Sequence, residues 1–316
     1  MIRYLELSRY RELVRKGYNR VLGHSSPLFF KLISLPVALL PLRFAVELGG
    51  AVGWIFYHLS RRTRGRAIQN LTNSLPFLER HPKWSNSHGT VEQIICRSFV
   101  NLGRCVAELV KVYYGRGQQL IDPVEIRGIE NYRRAKELGK GVTLITGHCG
   151  NWELMGLVVG VYFERIHVLA RPLKEESLSV LLENVRSRFG NQVIYKEGAV
   201  RKALAVLREQ GVVAILADVS VKPLDGILTD FLGRQAWTGT LAANLGRKTG
   251  VPLVPIFIHR EGDRHVVDIL PHLAVEGDNV DDTTRLLSRM VEEYIVQHPD
   301  EWLWIYRRWK RAADQH

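Results

Sequence analysis

The chain has 316 residues, enough to bury a sizeable core in one large domain or in a domain with an appended helical region. Its 44 lysines and arginines outnumber its 32 acidic residues, and the net charge of +12 indicates an acidic partner such as nucleic acid, anionic lipid or an acidic protein. The sequence has no zinc-finger spacing, RNA-recognition signature or Walker A loop. The case for nucleic-acid binding would rest on charge alone, and nucleic acid is not an expected partner.

Residues 1–66 are predicted to form basic and apolar helices that associate with a membrane. Residues 1–26 carry apolar side chains at helical spacing among basic ones, which is typical of a helix on a membrane surface or of an ordinary solvated helix. Residues 28–59 are more apolar, but prolines and charges interrupt them before any run reaches the roughly 20 residues that span a bilayer. We expect a re-entrant, shallow or short tilted anchor; one span or a buried soluble helix pair are the alternatives.

An arginine cluster follows this region, at Arg61-Arg62-Thr63-Arg64-Gly65-Arg66. Positive residues next to apolar segments favour the cytoplasmic side. The cluster therefore predicts that the rest of the chain faces the cytoplasm.

Residues 67–316 are predicted to form an α/β domain, mainly helical over 67–120 and alternating between strands and helices over 122–316. This alternation is typical of a largely parallel central sheet flanked by helices. The candidate strands are Val142–Thr146, Ile166–Ala170, Gln192–Tyr195, Val212–Ala217, Leu253–Ile258 and Val266–Leu270. The candidate helices are Trp152–Phe163, Ser177–Phe189, Val200–Glu209, Gly239–Lys248 and Asp282–Gln297, after a helical segment at Val91–Tyr113.

The segment His148-Cys149-Gly150-Asn151-Trp152-Glu153 lies where the first of these strands ends and a helix begins. Asn151 is a plausible cap for that helix. On one continuous helix, positions five apart would lie roughly 140° apart. With His148 in the turn and Glu153 in the first helical turn, the two side chains can converge.

This histidine and carboxylate suit proton removal from a hydroxyl. A neutral imidazole accepts a proton at cellular pH, and a carboxylate on its other nitrogen fixes the tautomer. Because no serine in a G-x-S-x-G setting is near, the pattern predicts direct attack of a substrate hydroxyl on an activated acyl group. The alternative is a histidine that closes a turn and a solvated glutamate.

The cysteines, Cys96, Cys105 and Cys149, are an odd and sparse set that indicates a reducing compartment rather than a disulfide framework. Cys96 and Cys105 lie on a helical pattern and are expected in the core. Cys149, beside His148, is an alternative nucleophile.

Ligands of parallel sheets bind beyond the carboxyl ends of the strands, where His148, Arg171 and Asp218 all fall. Arg171 suits a phosphate or sugar-acid group, or else forms a surface ion pair. Asp218 opens a long connection to Trp237, and connections of that length are often functional. Phe231, Leu232 and Trp237 are expected to line an apolar channel for a chain; the alternative is a packed surface loop.

The segment from Glu301 to Lys310 mixes tryptophans with cations. Such mixtures are typical of the water–lipid boundary. The alternative, weighed equally, is a terminal element that docks its tryptophans into the core.

Together these segments resemble the lysophospholipid acyltransferase superfamily, specifically its bacterial late lipid A biosynthesis acyltransferase branch. The resemblance covers nearly the whole chain. It rests on H-x4-E at His148 and Glu153, Arg171-Pro172, Asp218 with the block Phe231-Leu-Gly-Arg-Gln-Ala-Trp-Thr238, Val251-Pro-Leu-Val-Pro255, and Trp302-Leu-Trp-Ile-Tyr-Arg-Arg-Trp-Lys310.

The resemblance implies an enzyme of the bacterial inner membrane that faces the cytoplasm. It would move a fatty acyl group from acyl carrier protein, or from coenzyme A, to a hydroxyl of a lipid A precursor or related glycolipid. Phosphatidylinositol mannosides, lysophospholipids and glycerol phosphate are alternative acceptors, and a basic lipid-binding protein at the membrane surface is the non-enzymatic alternative. The thioester is a co-substrate, and no metal or bound cofactor is expected.

The same resemblance assigns roles to residues. His148 would be the general base and Glu153 its orienting partner. Arg171 would contact the anionic headgroup of the acceptor. The remaining substrate-binding residues it implies are Asp218, Phe231, Gly233, Arg234 and Trp237. Tyr306 stands where this branch often has histidine, which bears on the identity of the acceptor.

Overall fold

A central sheet of seven strands organises the computed structural model, which describes residues 31–32, 34–170, 176–195, 198–274 and 279–313. The strands of the chain are β1 Glu125–Arg127, β2 Val142–Thr146, β3 Ile166–Ala170, β4 Gln192–Tyr195, β5 Val212–Leu216, β6 Gly226–Phe231, β7 Arg234–Gly239, β8 Leu253–Glu261 and β9 Arg264–Ile269. The sheet has the order β1-β9-β8-β2-β5-β3-β4, and β6 and β7 form a separate hairpin.

Five adjacent strands of the sheet, from β8 to β4, are parallel. Strand β9 pairs antiparallel with β8, and β1 runs parallel to β9 at the edge. All five residues of β2 are buried because β8 and β5 flank it and helices cover both faces. The prediction of an α/β fold with a largely parallel sheet is confirmed.

Helices cover the sheet on both faces. The helices are α1 Leu42–Leu59, α2 Arg61–Thr72, α3 Leu75–Leu78, α4 Val91–Tyr113, α5 Gln118–Ile121, α6 Ile129–Glu137, α7 Trp152–Tyr162, α8 Glu176–Ser187, α9 Ala199–Arg208, α10 Leu241–Thr249, α11 Val280–Gln297 and α12 Lys310–Ala313. One face of the sheet packs against α7, with Leu144 and Val158 in a shared core. The other packs against α9, α10 and α11, with Ile145 and Leu287 in a second core.

Helix α1 packs closely on α4 through small residues. Gly49 and Gly53, one turn apart, face Gly103, and a Cβ atom on Gly53 would lie 2.2 Å from the carbonyl oxygen of Phe99. Only glycine allows the two backbones to approach this closely. Among the described residues no helix is both long enough and apolar enough to cross a membrane.

The long connection after Asp218 contains regular structure that we did not predict. It forms the antiparallel β6–β7 hairpin, whose two turn residues, Leu232 and Gly233, both have positive φ. Two such residues in succession make the turn that matches the twist of a tight hairpin. The hairpin packs against the C-terminal segment, because Trp309 Nε1 donates to the carbonyl oxygen of Phe231 over 3.2 Å.

The C-terminal tryptophans lie in the core. Trp302, Trp304 and Trp309 are at most 5% exposed, and Arg308 is fully buried between them and the hairpin. The guanidinium of Arg308 donates to the carbonyl oxygen of Trp237 over 2.6 Å. Of the two alternatives for this segment, the structure supports docking into the core.

Candidate active site

His148 and Asp218 lie side by side at the carboxyl end of the sheet. Strands β2 and β5 pair in register, with Thr146 opposite Leu216. His148 and Asp218 each follow two residues after that pair, so the chain geometry that ends both strands brings their side chains together.

Asp218 binds the His148 residue at two points. The Nδ1 atom of His148 lies 2.9 Å from Oδ1 of Asp218, and the backbone N–H of His148 donates to Oδ2 over 2.8 Å. Oδ2 also accepts from Trp302 Nε1 over 2.9 Å. Asp218 is fully buried, so this set of three donors fixes its orientation.

Each group shifts the pKa of the other. Burial favours the neutral imidazole, but the negative charge and hydrogen bond of Asp218 outweigh it, and the pKa of His148 is raised. Burial likewise favours protonated Asp218, but the charge of His148 and the N–H donors outweigh it, and the pKa of this carboxyl is lowered. The pair can therefore hold an imidazolium against a carboxylate.

Glu153 lies near His148 but is bound by another residue. Arg186 Nε donates to its Oε2 over 2.8 Å, and Arg186 Nη2 donates to its Oε1. Both side chains are largely buried, with exposures of 9% for Glu153 and 16% for Arg186. The expected pairing of Glu153 with the imidazole is thus corrected: the carboxylate on Nδ1 belongs to Asp218, and the charge of Glu153 is engaged by a guanidinium.

Two aromatic rings hold the imidazole of His148 in place. Tyr306 stacks on it at 5.4 Å between ring centroids, and Trp152 meets it edge-on at 5.1 Å. The backbone N–H of Ser220 donates to the Tyr306 hydroxyl over 3.0 Å. The C-terminal segment therefore contributes Trp302 and Tyr306 to the site, which the sequence pattern alone did not indicate.

A large apolar cavity opens at these side chains. It has a volume of about 910 Å³. His148, Glu153, Arg186 and Tyr306 form its polar end, and the other lining residues are mostly aliphatic. No described residue bonds to Nε2 of His148, and with Nδ1 engaged this nitrogen remains available to a ligand.

The other predicted substrate-binding residues do not line this cavity. Phe231 and Leu232 are fully buried in a cluster with Trp302 and Trp309, and Gly233 is exposed at the hairpin turn. The guanidinium of Arg234 lies 4.0 Å above the ring of Trp309. Trp237 belongs to β7 and is not in contact with the cavity. Their expected position is corrected, because the hairpin turns this block toward the C-terminal segment.

Arg171 lies outside the described residues, so its predicted contact with a headgroup stays a prediction. Arg186 is a cation at the site that sequence reasoning missed. It is 33 residues after Glu153, and no local spacing links the two.

The environment of Cys149 disfavours a nucleophile. The side chain is fully buried, and burial together with the negative charges of Asp218 and Glu301 raises the pKa of its thiol well above the ordinary value. Within the described part of the chain, no three His, Cys, Asp or Glu side chains form a group that could hold a metal ion.

Several known acyltransferases are similar to this chain over most of its length. A "Lipid A biosynthesis acyltransferase" from Haemophilus influenzae is 21% identical, over 91% of this chain and 87% of that protein. A "Phosphatidylinositol mannoside acyltransferase" from Mycobacterium tuberculosis is 25% identical, over 69% of this chain and 71% of its own. A "Lipid A biosynthesis lauroyltransferase" from Escherichia coli is 21% identical, over 88% of this chain and 89% of that protein.

The sequence model of one family, described as bacterial lipid A biosynthesis acyltransferase, matches residues 28–311, which is most of the chain. The matched residues include both members of the His148–Asp218 pair and Trp302, which donates to Asp218. The chain belongs to this family and is an acyltransferase.

Proposed function

We propose that this acyltransferase moves a fatty acyl group from a thioester to a hydroxyl of a glycolipid, with a lipid A precursor as the leading acceptor. The observation that carries the proposal is the His148–Asp218 pair at the mouth of a large apolar cavity. A base beside a space for an alkyl chain is what acyl transfer to a hydroxyl requires.

The proposed reaction has two steps at one base. Nε2 of His148 takes the proton of the acceptor hydroxyl as its oxygen attacks the thioester carbonyl carbon. The C–S bond then breaks, the ester remains on the acceptor, and the departing thiolate takes the proton from His148. Asp218 stabilises the imidazolium between these steps. The start of α7, which follows His148 closely, favours the developing oxyanion through its partial positive charge.

Glu153 and Arg186 have a second role in this proposal. Their bidentate ion pair holds a guanidinium in the cavity wall near the base. A guanidinium fixed in this way suits an anionic group on a substrate. Glu153 would then act on the reaction by positioning Arg186 rather than by orienting the imidazole.

The proposed donor is a thioester of acyl carrier protein, with coenzyme A as the alternative. Acyl carrier protein is acidic, and the net charge of +12 on this chain would steer the two together. The same charge suits an anionic membrane surface, where the glycolipid acceptor is located.

We further propose that α1 lies on the cytoplasmic face of the bacterial inner membrane. Phe44, Leu48, Val52, Ile55 and Leu59 share one helical face, and each is at least 41% exposed. An exposed apolar stripe of this length is typical of a membrane contact. Arg61 and Arg62, both exposed, would meet anionic headgroups beside it.

An assay with lauroyl acyl carrier protein and a tetra-acylated lipid A precursor tests the proposal. Replacement of His148 by alanine should reduce turnover by about 10²–10⁴-fold, the usual contribution of a general base. Replacement of Cys149 by serine, at a buried position beside it, is the matched control and should retain most of the activity. Turnover close to wild type in the His148→Ala variant would exclude this mechanism.

The acceptor is tested separately. The same donor is offered with a lysophospholipid, glycerol phosphate or a phosphatidylinositol mannoside in place of the lipid A precursor. Faster transfer to one of these would reassign the acceptor and keep the chemistry. If none of these acceptors is acylated while lipid still binds, the proposed class of acceptor is wrong.

A further inference from the structure

The cavity at His148 extends to both sides of the central sheet. Four successive residues of the chain at the end of β5, from Ala214 to Ala217, all line it. Consecutive side chains of a strand point to opposite faces. Ala214 packs with the core under α7, whereas Ile215 packs with the core under α9 and α10. One cavity therefore reaches two separate cores.

A slot in the sheet connects the two sides. Strands β3 and β5 pair only from Ile166 to Val168, opposite Val212 to Ala214. Beyond this point β5 continues to pair with β2 as far as Leu216, and β3 continues to pair with β4 as far as Ala170. The carboxyl halves of β3 and β5 have no pairing with each other, and the residues on both sides of this gap line the cavity.

The slot divides the cavity into two arms. The first, which we call the α7 arm, runs from Glu153 to Val159 along α7 and is lined by Leu144, Met155 and Gly156. The second, the α10 arm, runs along α10. Its lining residues include Leu241, Ala242, Leu245, Lys248 and Leu287. At a rise of 1.5 Å per residue, the lined parts of α7 and α10 are each about 10 Å long.

The volume is too large for a single acyl chain of ordinary length. At on the order of 30 Å³ for each methylene group, the liquid volume of a water molecule, about 910 Å³ corresponds to at most roughly 30 methylene groups, the space at the polar end included. This exceeds one chain of ordinary length and leaves room for a second. Most lining residues are aliphatic and suit alkyl groups, and the α10 arm also carries the polar side chains of Thr240, Asn244, Lys248 and Thr284.

We infer that the two arms hold two alkyl chains at the same time, one from the acyl donor and one from the acylated acceptor, with their polar ends meeting at His148. The inference rests on the proposed function for the identity of the two chains, but not for their number. Each substrate would then be selected for chain length by a different face of the sheet.

One substitution in each arm tests this. Gly156→Leu fills the α7 arm; a Cβ atom at Gly156 would contact only Ile166, at 3.5 Å, so the side chain can enter the cavity. Ala242→Leu fills the α10 arm. The milder variants Gly156→Ala and Ala242→Val serve if the larger ones unfold, and thermal unfolding identifies those that do. His148→Ala is the control that removes the base and leaves both arms open.

Native mass spectrometry with dodecanoic acid counts the bound chains without any turnover. We expect two per protein molecule in the wild type and in His148→Ala, and one in each filled variant. A single bound chain in the wild type, weakened by both substitutions, would mean that one chain threads the slot. Two chains in either leucine variant would mean that this arm is not a chain site. Either result overturns the inference.

Transfer assays then assign the chains. Donors and acceptors of ten to sixteen carbons are compared, and each filled variant should shift the preferred length of one substrate only, with the two variants shifting different substrates. A shift of the same substrate by both variants overturns the assignment. If the wild type binds two chains but transfers none, the proposed function fails while the two-arm site stands.

Discussion

Replacement of Asp218 by asparagine separates the roles of the two carboxylates near His148. Oδ2 of Asp218 accepts from two N–H groups, those of the His148 backbone and of the Trp302 indole, whereas Oδ1 meets only Nδ1 of the imidazole. An asparagine has one acceptor oxygen, and its best orientation places that oxygen opposite the two donors. Its NH₂ group then faces Nδ1.

The imidazole must respond by moving its proton. Nδ1 has to accept from the amide, so the neutral ring carries its proton on Nε2, the atom that should take the proton of the hydroxyl. The same change in a serine protease triad reduces kcat about 10⁴-fold. We therefore expect Asp218→Asn to reduce turnover by about 10²–10⁴-fold, or about 3–5 kcal/mol in the activation free energy.

The pH profile provides an independent readout. His148 must be neutral to act as a base, so activity should rise with pH through its raised pKa, above the ordinary value of about 6.5. Without the charge of Asp218 that pKa falls, and the rising limb of the residual activity should move to lower pH. The assay is kcat/KM for acyl transfer from pH 5 to 9, with thermal unfolding as a check on folding.

Glu153→Gln is the matched control. It leaves Asp218 and the tautomer unchanged and weakens the bonds to Arg186, so its loss should be at least about tenfold smaller than that of Asp218→Asn. Loss of activity in the reverse order, with an unshifted pH profile for Asp218→Asn, would refute the pairing of His148 with Asp218 as the working base.

Three further changes have defined outcomes. Burial raises the pKa of Glu292 to about 7, so the protein loses stability as pH rises from about 4.5 through 7 and this buried carboxyl ionises. Glu292→Gln should therefore raise the free energy of unfolding by about 1–3 kcal/mol at pH 8 and not at pH 5, as measured by denaturant unfolding. Gly53→Ala should lower the melting temperature because its Cβ would overlap Phe99, whereas Gly65→Ala, with open space around it, should be neutral or stabilising by up to about 1 kcal/mol. Tyr306→Phe should keep most activity because the stacking on His148 remains, whereas Tyr306→Ala should lose about tenfold or more in kcat; equal losses in both would assign the effect to the hydroxyl.

Local patterns determined the elements of this protein. The strands at Val142–Thr146, Ile166–Ala170 and Gln192–Tyr195 are confirmed at the predicted bounds, because buried parallel strands are short apolar runs that a sequence displays directly. The cap of α7 is confirmed as well, since Asn151 Oδ1 accepts from the N–H of Leu154 over 3.1 Å. The position of His148 at a strand end followed from the same information.

The partners of the site residues came from tertiary structure alone. Asp218 meets His148 because β5 inserts beside β2, a pairing between strands 70 residues apart that periodicity cannot encode. Arg186 reaches Glu153 because the helices that carry them pack side by side, and the periodicity of one helix does not reveal which distant cation will contact it. The C-terminal tryptophans and the β6–β7 hairpin are apolar enough to contact either a membrane or a protein core. In the folded chain they pack against each other in the core. Strand order, and with it the slot between β3 and β5, is a property of the assembled sheet, because it depends on which nonlocal contacts bury the most surface together.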